Sequence, residues 1–167
     1  PPPPPPPPPP LYFFPAAVGI VYRAASLGLG DVYKRQISTK AGEKYENEKS
    51  SFDFSKTGVW NSVYQSLKNL NTETVDILLI HSNGNDLDII NHSDAVETLI
   101  EIKKRGLARN IGMSTYSPEG TIAASRFSDV IMATFNLEDS SNIEAIKKAH
   151  KKGCGILLKK VFSSGKC

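Results

Sequence analysis

The sequence predicts an α/β fold, a partial (β/α)8 TIM barrel of about five parallel strands alternating with helices. Three observations lead there. Short apolar runs of strand length recur between segments of helical periodicity. The longest of them, Val75–Ser82, is nearly continuous rather than alternating, as expected for a strand covered on both faces of a parallel sheet. Lys40, His81 and Ser114–Thr115 close three of these runs, at the strand ends where such barrels keep their chemistry. The nucleotide-binding folds with glycine-rich loops fit less well. Gly28 and Gly30 do not complete a G-x-G-x-x-G, because Tyr33 stands in the third glycine's place, and no P-loop is present.

The elements follow in order. Ile37–Lys40 is short and β-branched, and a polar loop comes after it. Val59, Val63, Leu67 and Leu70 then recur at helical spacing beside Trp60. After the Val75–Ser82 strand, Ser93 or Asp94 can cap a helix with a stripe of Ala95, Val96, Leu99 and Ile100, and Gly106 ends it behind a basic last turn. Ala108–Tyr116 is the third strand. Ser117 is an N-cap with Pro118 in the first helical turn. Asp129–Leu137 is the fourth strand, and Ser141 with Glu144 forms an S-x-x-E capping box ahead of a stripe of Ile143, Ile146 and Ala149. Cys154–Lys160 is the fifth strand.

The first 36 residues read differently. Ten of the 12 prolines are residues 1–10, and only Pro118 lies beyond Ile37. Such a run forms a polyproline II rod, and Leu11–Tyr22 has the apolar character of a signal segment without the basic region in front. The stretch DVYKRQ (Asp31–Gln36) is what GAT GTG TAT AAG AGA CAG encodes, a string that matches a transposase adapter. Residues 1–36 are therefore expected to be a non-native or disordered leader, with the functional part at 37–167.

Charge and cysteines exclude several classes. The formal net charge is +3, but beyond the leader 17 basic and 16 acidic side chains nearly balance, which argues against a nucleic-acid footprint. No segment is long and apolar enough to suggest a membrane span. Cys154 and Cys167 form no disulfide framework and have no partners at metal-ligand spacing, so a reducing cytoplasm and no metal are expected. Lys147–Lys152, KKAHKK, reads as a solvated helix face, and Ser82–Asp88 has calcium-loop character without the ligand spacing. His92 and His150 read as surface residues.

Each candidate at a strand end has a plain structural alternative: Lys40 as a solvated loop residue, His81 as a core histidine, Ser114–Thr115 as a turn or cap. Together, on one barrel mouth, they could face one ligand.

The blocks ISTKAGE, SLKNLNTETVDILLIHS, LIEIKKRGLARNIGMSTYSPEG, DVIMATFNL and KKGCGILLKK resemble, in order, the middle of the aldo-keto reductase superfamily. The resemblance implies hydride transfer from a nicotinamide cofactor to an aldehyde or ketone, with NADP(H) expected over NAD(H). It makes Lys40 the lysine that lowers the pKa of a proton-donating tyrosine. His81 becomes the residue that orients the substrate carbonyl. Ser114 and Thr115 match a Ser-Asn pair that holds the nicotinamide carboxamide. Met132 stands where the family has a glutamine, and Lys159 and Lys160 where many members have a stacking aromatic. The family's aspartate and tyrosine precede the lysine block. Asp31 and Tyr33 lie too close to Lys40 to match them and are not assigned.

A closed barrel takes roughly 250 residues. The chain is thus expected to supply the central portion, from the third strand to the seventh, truncated at both ends and inactive alone. Two rivals accompany this reading: a non-catalytic nicotinamide-binding or interaction module on the same scaffold, and an enzyme using Lys40 as a Schiff-base amine.

Overall fold

The computed structural model describes residues 12–13, 36–46 and 49–163. The leader expected at 1–36, with Asp31 and Tyr33, falls almost wholly outside them. Strands β1 (Tyr12–Phe13), β2 (Ser38–Ala41), β5 (Val75–His81), β6 (Ala108–Ser114), β7 (Val130–Thr134) and β8 (Gly155–Lys159) form one parallel sheet in the order β1-β8-β7-β6-β5-β2. The last five are the predicted strands, each separated from the next by at least one helix. Helices are α1 (Lys56–Leu70), α2 (Asp86–His92), α3 (Ala95–Lys104), α4 (Pro118–Ala124) and α5 (Ile143–Lys151). The architecture is a partial (β/α)8 barrel.

Local chemistry sets the helix ends. Ser55 caps α1 by accepting a hydrogen bond from the Gly58 amide at 3.1 Å, and the helix stops where Asn71 turns left-handed at φ 48°. Ser117 caps α4 through the Gly120 amide at 3.0 Å, with Pro118 in the first turn. The helices bury Val59, Val63, Leu67, Leu99, Ile102 and Ala149 against one face of the sheet, with Leu78, Ile80, Ile111, Met113, Ile131 and Ile156 beneath them. On the opposite face Leu79, Met132 and Leu157 form a second cluster. Alternate residues of each strand thus serve two different cores. Among the described residues no helix is long and apolar enough to cross a membrane.

Four expectations need correction. The polar loop after β2 contains an antiparallel hairpin, β3 (Glu43–Glu46) and β4 (Lys49–Phe52). The capping box at Ser141 does not form: Asn142 occupies the N-cap without a side-chain cap, while Ser141 donates to Asp139 at 2.7 Å and Glu144 pairs with Lys147. In α5 the residues buried beside Ala149 are small, Ala145 instead of Ile143, which lies exposed. Asp94 likewise precedes α3 without capping it, since its carboxylate accepts from the Lys56 amide at 3.2 Å and so ties α1 to α3.

Candidate functional site

Strand register decides which side chains meet. Lys40 pairs with Leu79, whereas His81 is level with Ser114, which is level with Met132, which is level with Leu157. Leu79, Met132 and Leu157 belong to the inner cluster. Residues two positions on from Leu79 and Leu157, namely His81 and Lys159, share that face one step nearer the C-terminal ends. Gly112 makes this stagger possible. A Cβ there would lie 1.7 Å from the Val130 carbonyl oxygen, so only glycine allows β6 and β7 to approach so closely.

The mouth is cationic and partly to fully buried. Lys159 is 4% exposed; its Nζ donates to Ser114 Oγ at 3.1 Å and lies 3.8 Å from the centre of the Tyr116 ring. Lys160, held at φ 58°, places its Nζ 5.3 Å from the same ring. Burial, with Lys40 and Lys160 as like charges and Asp86 opposing them, brings Lys159 down to a pKa of about 7. Burial also lowers the pKa of Lys40, against the pull of Glu43. His81 is lowered first by burial and then by the Lys40 charge, and Glu43 again opposes. These six groups therefore form one electrostatic unit.

Glu43 enters on the hairpin. Gly42, at φ 96°, turns the chain directly after β2, where an added Cβ would also strike the Phe54 ring at 2.7 Å. Glu43 Oε2 contacts His81 Nδ1, and Oε1 accepts from Ser50 Oγ at 2.6 Å. Phe52 approaches the His81 ring edge-on, 6.4 Å between centroids.

The loop after β6 is fixed from below by Asp86. Its Oδ2 accepts from the Tyr116 amide, the Ser117 amide and the Ser117 hydroxyl at 2.8–2.9 Å, and its Oδ1 from Ser82 Oγ at 2.5 Å. Asn142 adds a bond to the Tyr116 carbonyl at 3.1 Å. This frame sets Tyr116 under the two lysines.

The predicted residues do not all converge. Lys40, His81, Ser114 and Lys159 share the mouth, with Lys160 at its rim. Thr115 does not present its hydroxyl there: fully buried, it bonds Thr121 Oγ1 at 2.7 Å. Met132 is part of the apolar inner cluster. Glu43, Asp86 and Tyr116 were not anticipated. Gly42 directly after a strand was a turn signal that would have pointed to Glu43; Asp86 gave none, because the loop residues it holds, Tyr116 and Ser117, are distant in sequence. His150 is half-buried, with Nδ1 3.4 Å from the Cys154 carbonyl, whereas His92 is exposed beside Asp88. Among the described residues no group of three or more His, Cys, Asp or Glu could hold a metal ion.

The profile of the aldo/keto reductase family matches residues 21–165, so most of the chain carries its pattern. The chain belongs to the aldo/keto reductase family. The match begins ahead of Ile37, inside the segment expected to be a leader. A methylglyoxal reductase, DkgB of Salmonella typhi, is 39% identical over 67 residues, which are 39% of this chain and 24% of that protein. A crystal structure of a Pseudomonas aeruginosa protein described as an aldo-keto reductase superposes with a TM-score of 0.72 at 39% identity, over 74% of this chain and 49% of that one. The holo form of a Bacillus halodurans aldo-keto reductase gives a TM-score of 0.63 at 24% identity, over 74% and 42%, and speaks for the fold. The chain thus spans about half the length of the first of these solved structures and about a quarter of the curated relative.

Proposed function

We propose that this aldo/keto reductase chain forms the carbonyl-binding part of an oxidoreductase that reduces small aldehydes or ketones with a nicotinamide cofactor, NADP(H) in preference to NAD(H). One observation carries the reading. Lys40, His81, Ser114 and Lys159 stand at the C-terminal ends of the parallel strands β2, β5, β6 and β8, where the Lys40 and Lys159 charges both lower the His81 pKa and Lys159 bonds Ser114.

The donor set suits a group rich in acceptor oxygens. Lys159 spends one hydrogen bond on Ser114, and among the described residues no carboxylate lies within salt-bridge distance of it. Ser114, accepting that bond, keeps its own proton to donate. These two, with Lys160, are the residues that would hold the cofactor. Thr115 and Met132 contribute no hydrogen bond to it. The cofactor, when bound, supplies the hydride. His81 orients the carbonyl oxygen, and Lys40 supplies the positive charge that holds a phenolic proton donor in its acidic range. Among the described residues the Glu43 charge acts on Lys40, and the charges of Lys40, Glu43 and Lys159 act on His81. The chain on its own is proposed to be inactive.

The experiment is a calorimetric titration of the chain with NADPH and with NADH, followed by assays against a panel of aldehydes. NADPH binding that weakens in Lys159→Met supports the cofactor reading, and binding of neither dinucleotide would overturn it. Turnover that disappears in His81→Ala would overturn the proposed inactivity.

A further inference from the structure

Lys159 is a buried amine without a countercharge at contact distance. It is 4% exposed at the C-terminal end of β8, and its Nζ donates to Ser114 Oγ at 3.1 Å. Among the described residues no carboxylate comes within salt-bridge distance of it. A lysine so deeply buried is ordinarily paired. The groups facing it come from several elements. Lys40 on β2 and Lys160 after β8 disfavour a proton there, and Asp86 on α2 favours one. The face of the Tyr116 ring, after β6, also favours the ammonium, and His81 on β5 feels the Lys159 charge in return. Burial and the two like charges prevail and bring the amine to about 7, so a neutral form is present near neutral pH. An amine desolvated beside another cation is a nucleophile. The bond to Ser114 uses an N–H and leaves the lone pair of the neutral nitrogen uncommitted.

We propose that Lys159 is a covalent binding site: its Nζ condenses with the carbonyl of a small 2-oxo acid, whose carboxylate is taken by Lys160 and Lys40. Charge selects the acid. Asp86 is engaged by four donors and Glu43 lies against His81, whereas among the described residues neither Lys40 nor Lys160 forms a salt bridge. Burial restricts the electrophile to a small one. Lys40 is the poorer nucleophile, because Glu43 favours its charged form.

The reaction balances without a further reagent. The nitrogen lone pair forms a bond to the carbonyl carbon, and the carbonyl π pair moves to oxygen. The two amine protons leave with that oxygen as water, and the C=N bond of an imine remains. Nothing is oxidised or reduced. No dinucleotide takes part, so the outcome is independent of the reductase reading, which the dinucleotide titration decides.

The test incubates the chain with glyoxylate near neutral pH in the presence of cyanoborohydride. Hydride from the reagent adds to the imine carbon and the nitrogen takes a proton. The product, carboxymethyl-lysine, is located by peptide fragmentation that separates Lys159 from Lys160. Acetaldehyde, which lacks the carboxylate, is run in parallel, and the exposed Lys49 and Lys104 calibrate each reagent. Lys159 should be labelled about ten-fold or more faster than these two, part of the difference in neutral amine between pKa values of about 7 and 10.5. The glyoxylate-to-acetaldehyde ratio should be several-fold higher at Lys159 than at Lys49 or Lys104. In Lys160→Met that ratio should fall toward theirs while acetaldehyde still labels Lys159. Urea should level all three sites. Labelling of Lys159 no faster than that of the exposed lysines overturns the proposal, as does labelling of Lys40 first. A glyoxylate preference no greater at Lys159 than at Lys104, or one unchanged in Lys160→Met, overturns the assignment to a 2-oxo acid.

Discussion

The Lys159 amine lies 3.8 Å from the centre of the Tyr116 ring, nearly sealed from solvent, with Ser114 as its hydrogen-bond acceptor. A cation kept there without a carboxylate among the described residues is held against its hydration, and folding stability must register the cost. The folded pKa is about 7 against an ordinary 10.5. Between those values the unfolded chain keeps a proton that the folded chain has released, so stability rises with pH across that window. Below about pH 7 the full cost is present. Lys159→Met should raise stability at pH 6–7 by a few kcal/mol, roughly the size of such a shift, and change little above pH 10. Urea midpoints at three pH values will show this. An equal effect at every pH would contradict it.

Asp86 answers four donors from a buried position. Asp86→Ala should leave the Tyr116 and Ser117 amides without their acceptor and cost about 3 kcal/mol or more, in keeping with the loss of a buried network. Chemical denaturation measures the loss directly. A change under about 1 kcal/mol would mean that water replaces the carboxylate.

Gly112→Ala introduces a methyl group where the Val130 carbonyl stands 1.7 Å away. The β6–β7 pairing must then open. The expected outcome is faster amide exchange across β6 and β7 and a loss above about 3 kcal/mol, beyond ordinary overpacking. The contrasting site is Gly106, where an added Cβ meets nothing within 4 Å and only the positive φ of 78° is strained. Gly106→Ala should cost closer to about 1 kcal/mol.

Cys154 is 3% exposed, and its thiol points to the Ser128 carbonyl at 3.2 Å. Burial raises its pKa. Alkylation at Cys154, followed by peptide mass spectrometry, should therefore wait for an opening of the β8 region and speed up with denaturant. Labelling as fast as in the unfolded chain would refute this.

The barrel strands were legible because strand-length apolar runs are local signals. Val75–His81 and Ala108–Ser114 are bounded by turn residues and read almost to the residue. Ser55 and Ser117 illustrate the same point for caps, Ser117 having been expected and Ser55 not. Ser141 and Glu144 had the right spacing and still failed, because Asp139 offered the Ser141 hydroxyl a nearer acceptor. The site was half legible. Lys40, His81 and Ser114 fall at strand ends that the pattern located, but whether a side chain at such an end faces the mouth depends on twist and on what the next helix offers. Thr115 turned away because Thr121, six residues on, gave its hydroxyl a buried partner. Glu43 and Asp86 were hidden because their meaning lies in residues 38 and 30 positions distant, His81 and Tyr116.

Glu43 arrives on a two-stranded ribbon that belongs to no barrel strand, and its neighbour Ser50 travels with it. Scaffold and tuning are therefore separable. A lineage could exchange the whole ribbon between Gly42 and Asp53, whose backbones close its base at 2.9 Å, and leave every strand that carries Lys40, His81 or Ser114 intact. A graft at that one base would give the same barrel a histidine with a different temperament.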